Sequence, residues 1–275
     1  MAPVHEDGSV LFIGTATTLI RYGGFTVLTD PNFLHRGRRA HLGYGLTSRR
    51  LTQPALDVHD LPPLDLVVLS HLHGDHWDRV ARHGLDKDLP VFTTLHAARE
   101  LLRQGFHEPI GMRTWETRRL RGPRGTLSVT ALPARHAPVP FDRLLPPVMG
   151  SVLEFADADG RISLRILISG DTLLVDELAD IPRRFPDVDL GIVHLGGTRL
   201  LGLLTVSMDG AQGARWVNLI RPGQVLPVHF DDYTVFRSPL SDFRRRVEKT
   251  PCGDRIVYLN RGESMRLSPR SSSVG

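Results

Sequence analysis

Three imidazoles and one carboxylate lie within six positions in the segment Ser70-His71-Leu72-His73-Gly74-Asp75-His76-Trp77. The apolar run Leu64-Asp65-Leu66-Val67-Val68-Leu69 precedes it and predicts a buried strand that ends in this turn. Neutral imidazole nitrogen and carboxylate oxygen are ligands that bind zinc in proteins. A polar turn with chance histidines is the alternative interpretation, and the density of ligand groups argues against it. The segment therefore predicts a metal site.

The spacing within this segment divides its ligands into two pairs. His71 and His73 are two positions apart, so an extended turn directs both side chains to one ion. Asp75 and His76 follow Gly74, whose backbone freedom allows a sharp bend, and we expect them to serve a second ion. Two-metal hydrolases hold their ions roughly 3.5–4 Å apart.

The order His71-Leu72-His73-Gly74-Asp75-His76 resembles the HxHxDH signature of the metallo-β-lactamase superfamily. The resemblance covers roughly residues 9 to 260 and is closest to the branch that contains ascorbate-6-phosphate lactonase and N-acyl-phosphatidylethanolamine phospholipase D. It implies an α/β fold, an αββα sandwich in which two mixed β-sheets pack face to face with helices on both outer faces. We expect a single domain over residues 1–267 and a flexible tail over 268–275.

Further ligands follow from this resemblance. His136 comes after a predicted strand and matches the third histidine ligand, and His229 matches the last one. Asp171, in Ser169-Gly170-Asp171-Thr172, matches an aspartate that bridges both metals, although an ordinary helix N-cap would also explain it. The implied metal ligands are His71, His73 and His136 for one ion, Asp75, His76 and His229 for the other, and Asp171 between them.

The ligand types predict the cofactor and the reaction. Nitrogen and oxygen donors without sulfur favour two Zn2+ ions, and Mn2+ or Fe2+ also accept such a set. Such ions lower the pKa of a bound water toward about 7 and so supply hydroxide for hydrolysis. Position 73 is histidine, not the glutamate of the di-iron oxidoreductases in the superfamily, so we expect hydrolysis and not redox chemistry. Asp75 is also a catalytic candidate because it can orient the nucleophile.

Two further residues are placed near the site. The resemblance implies that Asp30 lies at its floor as a hydrogen-bond partner of a ligand; a turn former before Pro31 is the alternative. His194 follows a predicted strand where the branch has an apolar turn. It is a catalytic candidate that could protonate a leaving group, or else a wall residue without a chemical role. Ser207 stands where proteins of this branch often have histidine. It is therefore open whether this chain shares the substrate chemistry of the branch.

Residues 32–60 form a long segment with little periodicity, which favours a lid or rim over the site, or else a solvated basic loop. Arg36, Arg38 and Tyr44 within it are predicted substrate contacts, and Arg135 beside His136 is a fourth. Farther along the chain we predict a helix over Ser207–Ile220 and a final strand over Arg255–Leu259.

Composition narrows the class of protein and its substrate. The 275 residues carry a net charge of +4, and only Lys87 and Lys249 are lysine, so 32 of the 34 basic residues (34 − 2) are arginine. Either a coding bias toward arginine or the recruitment of an anionic substrate would explain this excess of arginine over lysine. The single Cys252 excludes an internal disulfide. Neither a secretion signal nor an apolar run of about 18 residues is evident, so we expect a cytoplasmic protein.

We therefore predict a cytoplasmic metal-dependent hydrolase that cleaves an ester-type bond, a lactone or a phosphodiester, in a small and anionic substrate. One alternative is a nuclease or phosphodiesterase acting on nucleic acid, which no interleaved aromatic and basic pattern supports. The other alternative is a non-catalytic metal-binding scaffold. A homo-oligomer is compatible with the sequence.

Overall fold

A computed structural model of the chain describes residues 7–43, 45–200 and 204–267. Tyr44 and the expected tail over 268–275 lie outside these ranges. The strands in chain order are β1 (Ser9–Gly14), β2 (Thr17–Tyr22), β3 (Phe25–Thr29), β4 (Arg39–His41), β5 (Thr47–Arg49), β6 (Leu66–Val68), β7 (Val91–Thr94), β8 (Pro109–Met112), β9 (Thr117–Gly122), β10 (Gly125–Leu132), β11 (Gly150–Ala156), β12 (Ile162–Ile168), β13 (Leu190–His194), β14 (Arg199–Leu200), β15 (Leu204–Thr205), β16 (Gln224–Val228) and β17 (Ser264–Arg266). The α-helices are α1 (Arg79–Gly84), α2 (Leu95–Arg103), α3 (Ile181–Arg184), α4 (Gly210–Ile220) and α5 (Leu240–Val247).

Two mixed sheets form the centre of the molecule. The first has seven strands in the order β17-β1-β2-β3-β6-β7-β8, and the second has six in the order β16-β13-β12-β11-β10-β9. In the first sheet, β3, β6, β7 and β8 are parallel, and the strands before them pair antiparallel. In the second, β12, β13 and β16 are parallel, and β9 to β12 pair antiparallel.

The strand pattern explains why the two sheets stack. Successive side chains of a strand point to opposite faces. Accordingly Val10 of β1 joins the apolar cluster between the sheets with Val129 of β10, whereas its neighbour Leu11 joins a second cluster with Leu101 of α2. On the far side of the second sheet α4 contacts β13 and buries Trp216. The predicted αββα sandwich is confirmed.

The predicted strand over Arg255–Leu259 is wrong. A short 3-10 helix occupies Gly253–Arg255, and Ile256 makes only an isolated bridge to Val225. The edge of the first sheet is formed instead by β17, which pairs antiparallel with β1. This edge strand has three residues, too few for alternation to be detected in the sequence.

Helix α4 begins later than predicted. The predicted helix over Ser207–Ile220 starts at Gly210, because the carboxylate of Asp209 accepts hydrogen bonds from the main-chain N–H groups of Ala211 and Gln212. Such a cap satisfies donors that have no partner within the helix. Residues 32–60, for which little regular structure was expected, contain the short antiparallel hairpin β4-β5 and a 3-10 helix over Val58–Asp60.

The fold brings the predicted site segments to one edge of the sandwich. Each of them follows the carboxyl end of a strand: Asp30 follows β3, the histidine-rich segment follows β6, and His229 follows β16. Because such ends meet at the same edge of a parallel sheet, ligands in α/β proteins bind there. Among the described residues, no helix combines the length and apolar character needed to cross a bilayer.

Candidate metal centre

All seven predicted metal ligands lie together in a buried cluster. Potential ligand atoms within 4.8 Å of one another form four sets of three, which are His71, His73 and His136; His71, His76 and Asp171; Asp75, His76 and His229; and Asp30, His76 and His194. Every one of these side chains is buried. In the sequence the seven predicted ligands lie on four separate segments, and the fold brings them to one centre.

The first set joins three ring nitrogens. Nε2 of His71 and Nε2 of His136 each lie 3.0 Å from Nδ1 of His73. Ligands of one tetrahedral zinc ion with bonds of about 2.0–2.1 Å have a similar mutual spacing. The ring of His136 is oriented by Nδ1, which donates to the main-chain oxygen of Asp171 at 3.1 Å.

The second set combines imidazoles with carboxylates. Nε2 of His76 lies 3.0 Å from Nε2 of His229 and 3.4 Å from Oδ2 of Asp171. Nε2 of His229 lies 3.3 Å from Oδ2 of Asp75. Asp171 does not cap a helix, because the next helical residues begin at Asp176, so the N-cap explanation for this aspartate is wrong.

Unpartnered atoms in the described part of the chain support a cation here. Buried Oδ1 atoms of Asp75 and Asp171 have no hydrogen-bond partner. Buried carboxylate oxygens ordinarily have one, and orphaned ones are costly. Ring nitrogens that face each other at 3.0 Å, beside carboxylate oxygens that accept no hydrogen bond, are the arrangement expected around divalent cations. The residues present therefore fit a metal centre.

Hydrogen bonds behind the cluster fix the orientation of its rings. Nδ1 of His76 lies 3.1 Å from Oδ2 of Asp30, and Nδ1 of His229 donates to the main-chain oxygen of Leu195 at 2.9 Å. Asp30 is itself held by the main-chain N–H and the hydroxyl of Ser70, at 2.7 and 3.0 Å. Its φ of 38° is unusual for a residue with a side chain. These bonds leave Nε2 of both histidines directed into the cluster.

The pKa values of the cluster follow from burial and from the charges inside it. Burial lowers the pKa of His71, and it lowers that of His73 to about 3, with further lowering from His136. Burial acts in the same direction on His76, but the carboxylates of Asp171, Asp30 and Asp75 outweigh it and raise the pKa of His76 well above its usual value. Burial also lowers the pKa of His136, so the three histidines of the first set are neutral near neutral pH, as metal ligation requires.

In the aspartates, neighbouring imidazoles lower the pKa against the effect of burial. Burial alone would raise the pKa of Asp171, but the imidazoles of His229 and His76 lower it below its usual value. For Asp30, burial again raises the pKa, but His76 and a hydrogen bond from His194 outweigh it and lower the pKa below its usual value. Both carboxylates are therefore anionic near neutral pH, and their negative charge attracts cations.

Two glycines allow close approach of the backbone at the centre. A Cβ at Gly74 would lie 2.6 Å from the main-chain nitrogen of His41, and a Cβ at Gly170 would lie 2.4 Å from the main-chain oxygen of Met149. The main-chain N–H of Gly74 donates to the main-chain oxygen of His41 at 2.8 Å. Gly74 is therefore needed for contact with the segment that covers it, and not only for the bend that the sequence indicated.

His194 lies behind the cluster and not at an open face of it. Its ring is fully buried and stacks on that of His76, with 5.9 Å between centroids and 10° between planes. Nε2 lies 3.3 Å from Oδ2 of Asp30, and Nδ1 lies 3.2 Å from Oγ of Ser169. Because both ring nitrogens already contact protein groups, this geometry does not support the predicted role as a proton donor to the substrate.

The predicted substrate contacts that the structure describes, Arg36, Arg38 and Arg135, do not converge on the cluster. Arg36 and Arg38 are exposed, and Arg38 lines a separate surface pocket with Asp57. Arg135 forms an ion pair with Glu177. Tyr44 lies outside the described residues. Sequence proximity to the histidines, or position in a long loop, is the basis for predicting these arginines, and neither property fixes where a side chain points.

A cavity of about 500 Å³ does reach the cluster, and other arginines line it. It borders His73 and Gly74, and Arg39, Arg79 and Arg82 contribute to its wall. These three residues are not among the substrate contacts predicted from the sequence. A signal was present for two of them, since positions 79 and 82 are three apart and so share a face of α1.

The fold and this cluster define a metal-binding protein of the metallo-β-lactamase fold. The family model described as "Beta-lactamase superfamily domain" matches residues 26–230. The chain belongs to this superfamily, and the comparisons with known proteins support a metal-dependent hydrolase.

Individual relatives agree with this class. A "UPF0173 metal-dependent hydrolase" of Deinococcus radiodurans is 26% identical over 232 residues, which cover 80% of this chain and 92% of the relative. The mitochondrial N-acyl-phosphatidylethanolamine-hydrolyzing phospholipase D of Saccharomyces cerevisiae is 25% identical over 127 residues, 46% of this chain and 26% of that protein. The crystal structure of an isothiocyanate hydrolase from Delia radicum gut bacteria superimposes with a TM-score of 0.79 at 21% identity, covering 94% of this chain and 99% of the other. The similarity to the isothiocyanate hydrolase therefore shows a shared fold only.

Proposed function

We propose that the protein hydrolyses an ester-type bond, a lactone or a phosphodiester, in a small anionic substrate with the help of two zinc ions. The observation that carries the proposal is the buried convergence of five histidines and two aspartates, in which one oxygen of Asp75 and one of Asp171 have no hydrogen-bond partner among the described residues. We keep the expected cytoplasmic location as part of this proposal.

The ligands would divide into two sets. His71, His73 and His136 would hold one ion through neutral nitrogens; Asp75, His76 and His229 would hold the other, with Asp171 shared between the sets. Each ion would then have three ligands of its own and a share of Asp171, and zinc can still accept a further ligand by expanding to five-coordination. When bound, such ions supply a hydroxide nucleophile near neutral pH and stabilise negative charge that develops on the attacked group.

The chain's own groups orient and protect this chemistry. The hydrogen bonds from His76 to Asp30 and from His229 to Leu195 direct the Nε2 atoms inward. Asp75 keeps one oxygen, Oδ1, without a hydrogen-bond partner, and this oxygen is suited to accept a proton from the nucleophile. The cluster is buried at the edge of the sandwich, which excludes bulk water and strengthens the electrostatic interactions.

The test combines metal analysis with a substrate panel. The full chain, loaded with zinc, is assayed against lactones, phosphodiesters and polynucleotide, and metal content is measured by plasma emission. We expect two zinc ions per chain and turnover of a small ester. Asp171→Asn and His73→Ala should each lose both metal and turnover, whereas His83→Ala, on the exposed side of α1, should lose neither.

The panel also separates the alternatives. Turnover of polynucleotide with none of the small esters would replace this function with a nuclease. Stoichiometric zinc without turnover of any compound would favour the non-catalytic scaffold. Full turnover in Asp171→Asn would remove the basis of the proposal.

A further inference from the structure

The cavity beside the metal centre has a mainly apolar interior. Its volume of about 500 Å³ is within the range of pockets that hold small molecules. Its apolar wall is formed by Leu34, Ala40, Leu72, Trp77 and Pro146. The cavity reaches His73 and Gly74, so a molecule bound there lies next to a ring of the metal centre.

Three arginines line the same cavity without carboxylate partners. Arg39, Arg79 and Arg82 are exposed, and none forms an ion pair within the described part of the chain. The one recorded side-chain hydrogen bond of Arg39 goes from Nη1 to Oγ1 of Thr47 at 3.2 Å. By contrast, Arg103, on α2, pairs with Glu100.

The carboxylate in the described lining does not neutralise these arginines. Asp78 is buried; its Oδ1 accepts from the main-chain N–H groups of Val80 and Ala81, and its Oδ2 from those of Phe33 and Leu34. Both of its oxygens are thus committed to the backbone. The cavity therefore combines an apolar interior with positive charge that is available to a ligand.

We propose that this cavity binds an amphiphilic anion, with a phosphate or carboxylate group against Arg39, Arg79 and Arg82 and an apolar ring or short chain along Leu72 and Trp77. Arginine pairs with either anion through two parallel hydrogen bonds. The inference rests on the proposed hydrolase function and narrows its substrate class. Its candidate substrate contacts are these three arginines of the cavity wall, in place of those expected from the sequence.

The experiment is calorimetric titration of the zinc-loaded full chain with phenyl phosphate, benzoate, inorganic phosphate and phenol. The variants are Arg39→Gln, Arg82→Gln and their combination. Arg36→Gln is the matched control, because Arg36 is exposed in the same segment as Arg39 but does not line the cavity. Circular dichroism and zinc content confirm that each variant is folded and loaded, and Arg82→Lys provides a second, milder change.

We expect the double variant to bind phenyl phosphate at least about tenfold more weakly, with Arg36→Gln close to wild type. Phenyl phosphate should bind about tenfold more tightly than inorganic phosphate, because its ring is buried. An arginine-dependent response to phenyl phosphate alone identifies phosphate as the ligand group, and a response to benzoate alone identifies carboxylate. Both outcomes support the inference.

Wild-type affinity of the double variant for both anions would overturn the inference, because the anion would then contact the metal alone. An equal loss in Arg36→Gln would also overturn it, since general surface charge would explain the binding. These outcomes are distinct from failure of the proposed function. If anions bind in an arginine-dependent way but no ester is turned over, the proposed hydrolase function is refuted. If an ester is turned over but the arginine variants bind the anions as wild type does, only the proposed ligand of the cavity is refuted.

Discussion

Nδ1 of His76 lies 3.1 Å from Oδ2 of Asp30, a carboxylate that comes from the end of a different strand. The same Asp30 oxygen also lies within hydrogen-bond distance of Oγ of Ser70 and Nε2 of His194. One carboxylate thus fixes the tautomer and direction of a predicted ligand that belongs to three of the four candidate sets. Groups of this kind control metal affinity because they orient the ligand and make it more basic.

Replacement of Asp30 should therefore weaken metal binding. In Asp30→Asn the side chain keeps one oxygen, so it can accept from Ser70 or from His76 but not fully from both. We expect zinc affinity to fall about 10- to 100-fold, measured by competition with a chromophoric chelator. Asp57→Asn, at an exposed carboxylate that pairs with His35, is the control and should match wild type. Unchanged affinity in Asp30→Asn would show that His76 is oriented by other contacts.

His194 should act by holding Asp30 and not by transferring a proton to substrate. When the protein is saturated with zinc, we expect His194→Asn to retain turnover within about tenfold of wild type. Loss of a general acid would lower the rate of turnover by about 10²- to 10⁴-fold. The measurement is the rate at saturating zinc, together with zinc affinity, which should fall. A loss of more than about 10²-fold at full zinc occupancy would restore the catalytic role.

Asn32 should contribute strongly to stability. Its Nδ2 donates to the main-chain oxygen of Gly74 at 2.8 Å, and its Oδ1 accepts from Nη1 of Arg50 at 2.6 Å and from the hydroxyl of Tyr233 at 3.0 Å. Arg50 is fully buried, so Asn32→Ala would leave its charge with one partner fewer. We expect the free energy of unfolding to fall by about 3 kcal/mol or more, measured by urea denaturation.

Asn218→Ala provides the matched comparison for that prediction. Asn218 is half-buried on α4, and its Nδ2 makes one recorded hydrogen bond, to the main-chain oxygen of Ala214. We expect a loss of about 1 kcal/mol or less. A similar loss in the two variants would mean that the network around Asn32 adds no stability beyond a single hydrogen bond.

Metal removal should destabilise the folded protein. Ions that bind only the native state add stability according to their concentration, about 2.7 kcal/mol at 100 times Kd. We expect chelation to lower the Tm and restored zinc to raise it again, measured by scanning calorimetry. His73→Ala, which lacks a predicted ligand, should show a smaller response to chelation. A Tm that does not change on chelation of zinc-loaded wild type would argue that the cluster holds no structural cation.

The parts of the fold and site that could be predicted have local signals. The apolar run over residues 64–69 marked strand β6, and the ligand spacing in the histidine-rich segment was enough to locate the cluster. The three-residue strand β17 had no such signal, because its formation depends on pairing with β1. The direction of His194 and the arginines at the cavity depend on tertiary packing, which residue type and sequence distance do not determine.

The cluster draws its side chains from both sheets. Asp30 and His71 come from segments after strands of the first sheet, while His136, Asp171 and His229 come from segments after strands of the second. Divalent ions bound there would link the two sheets to each other at this edge of the sandwich. Hydrogen exchange in β6 and in β16 should then accelerate together when the ions leave, although the two strands belong to different sheets.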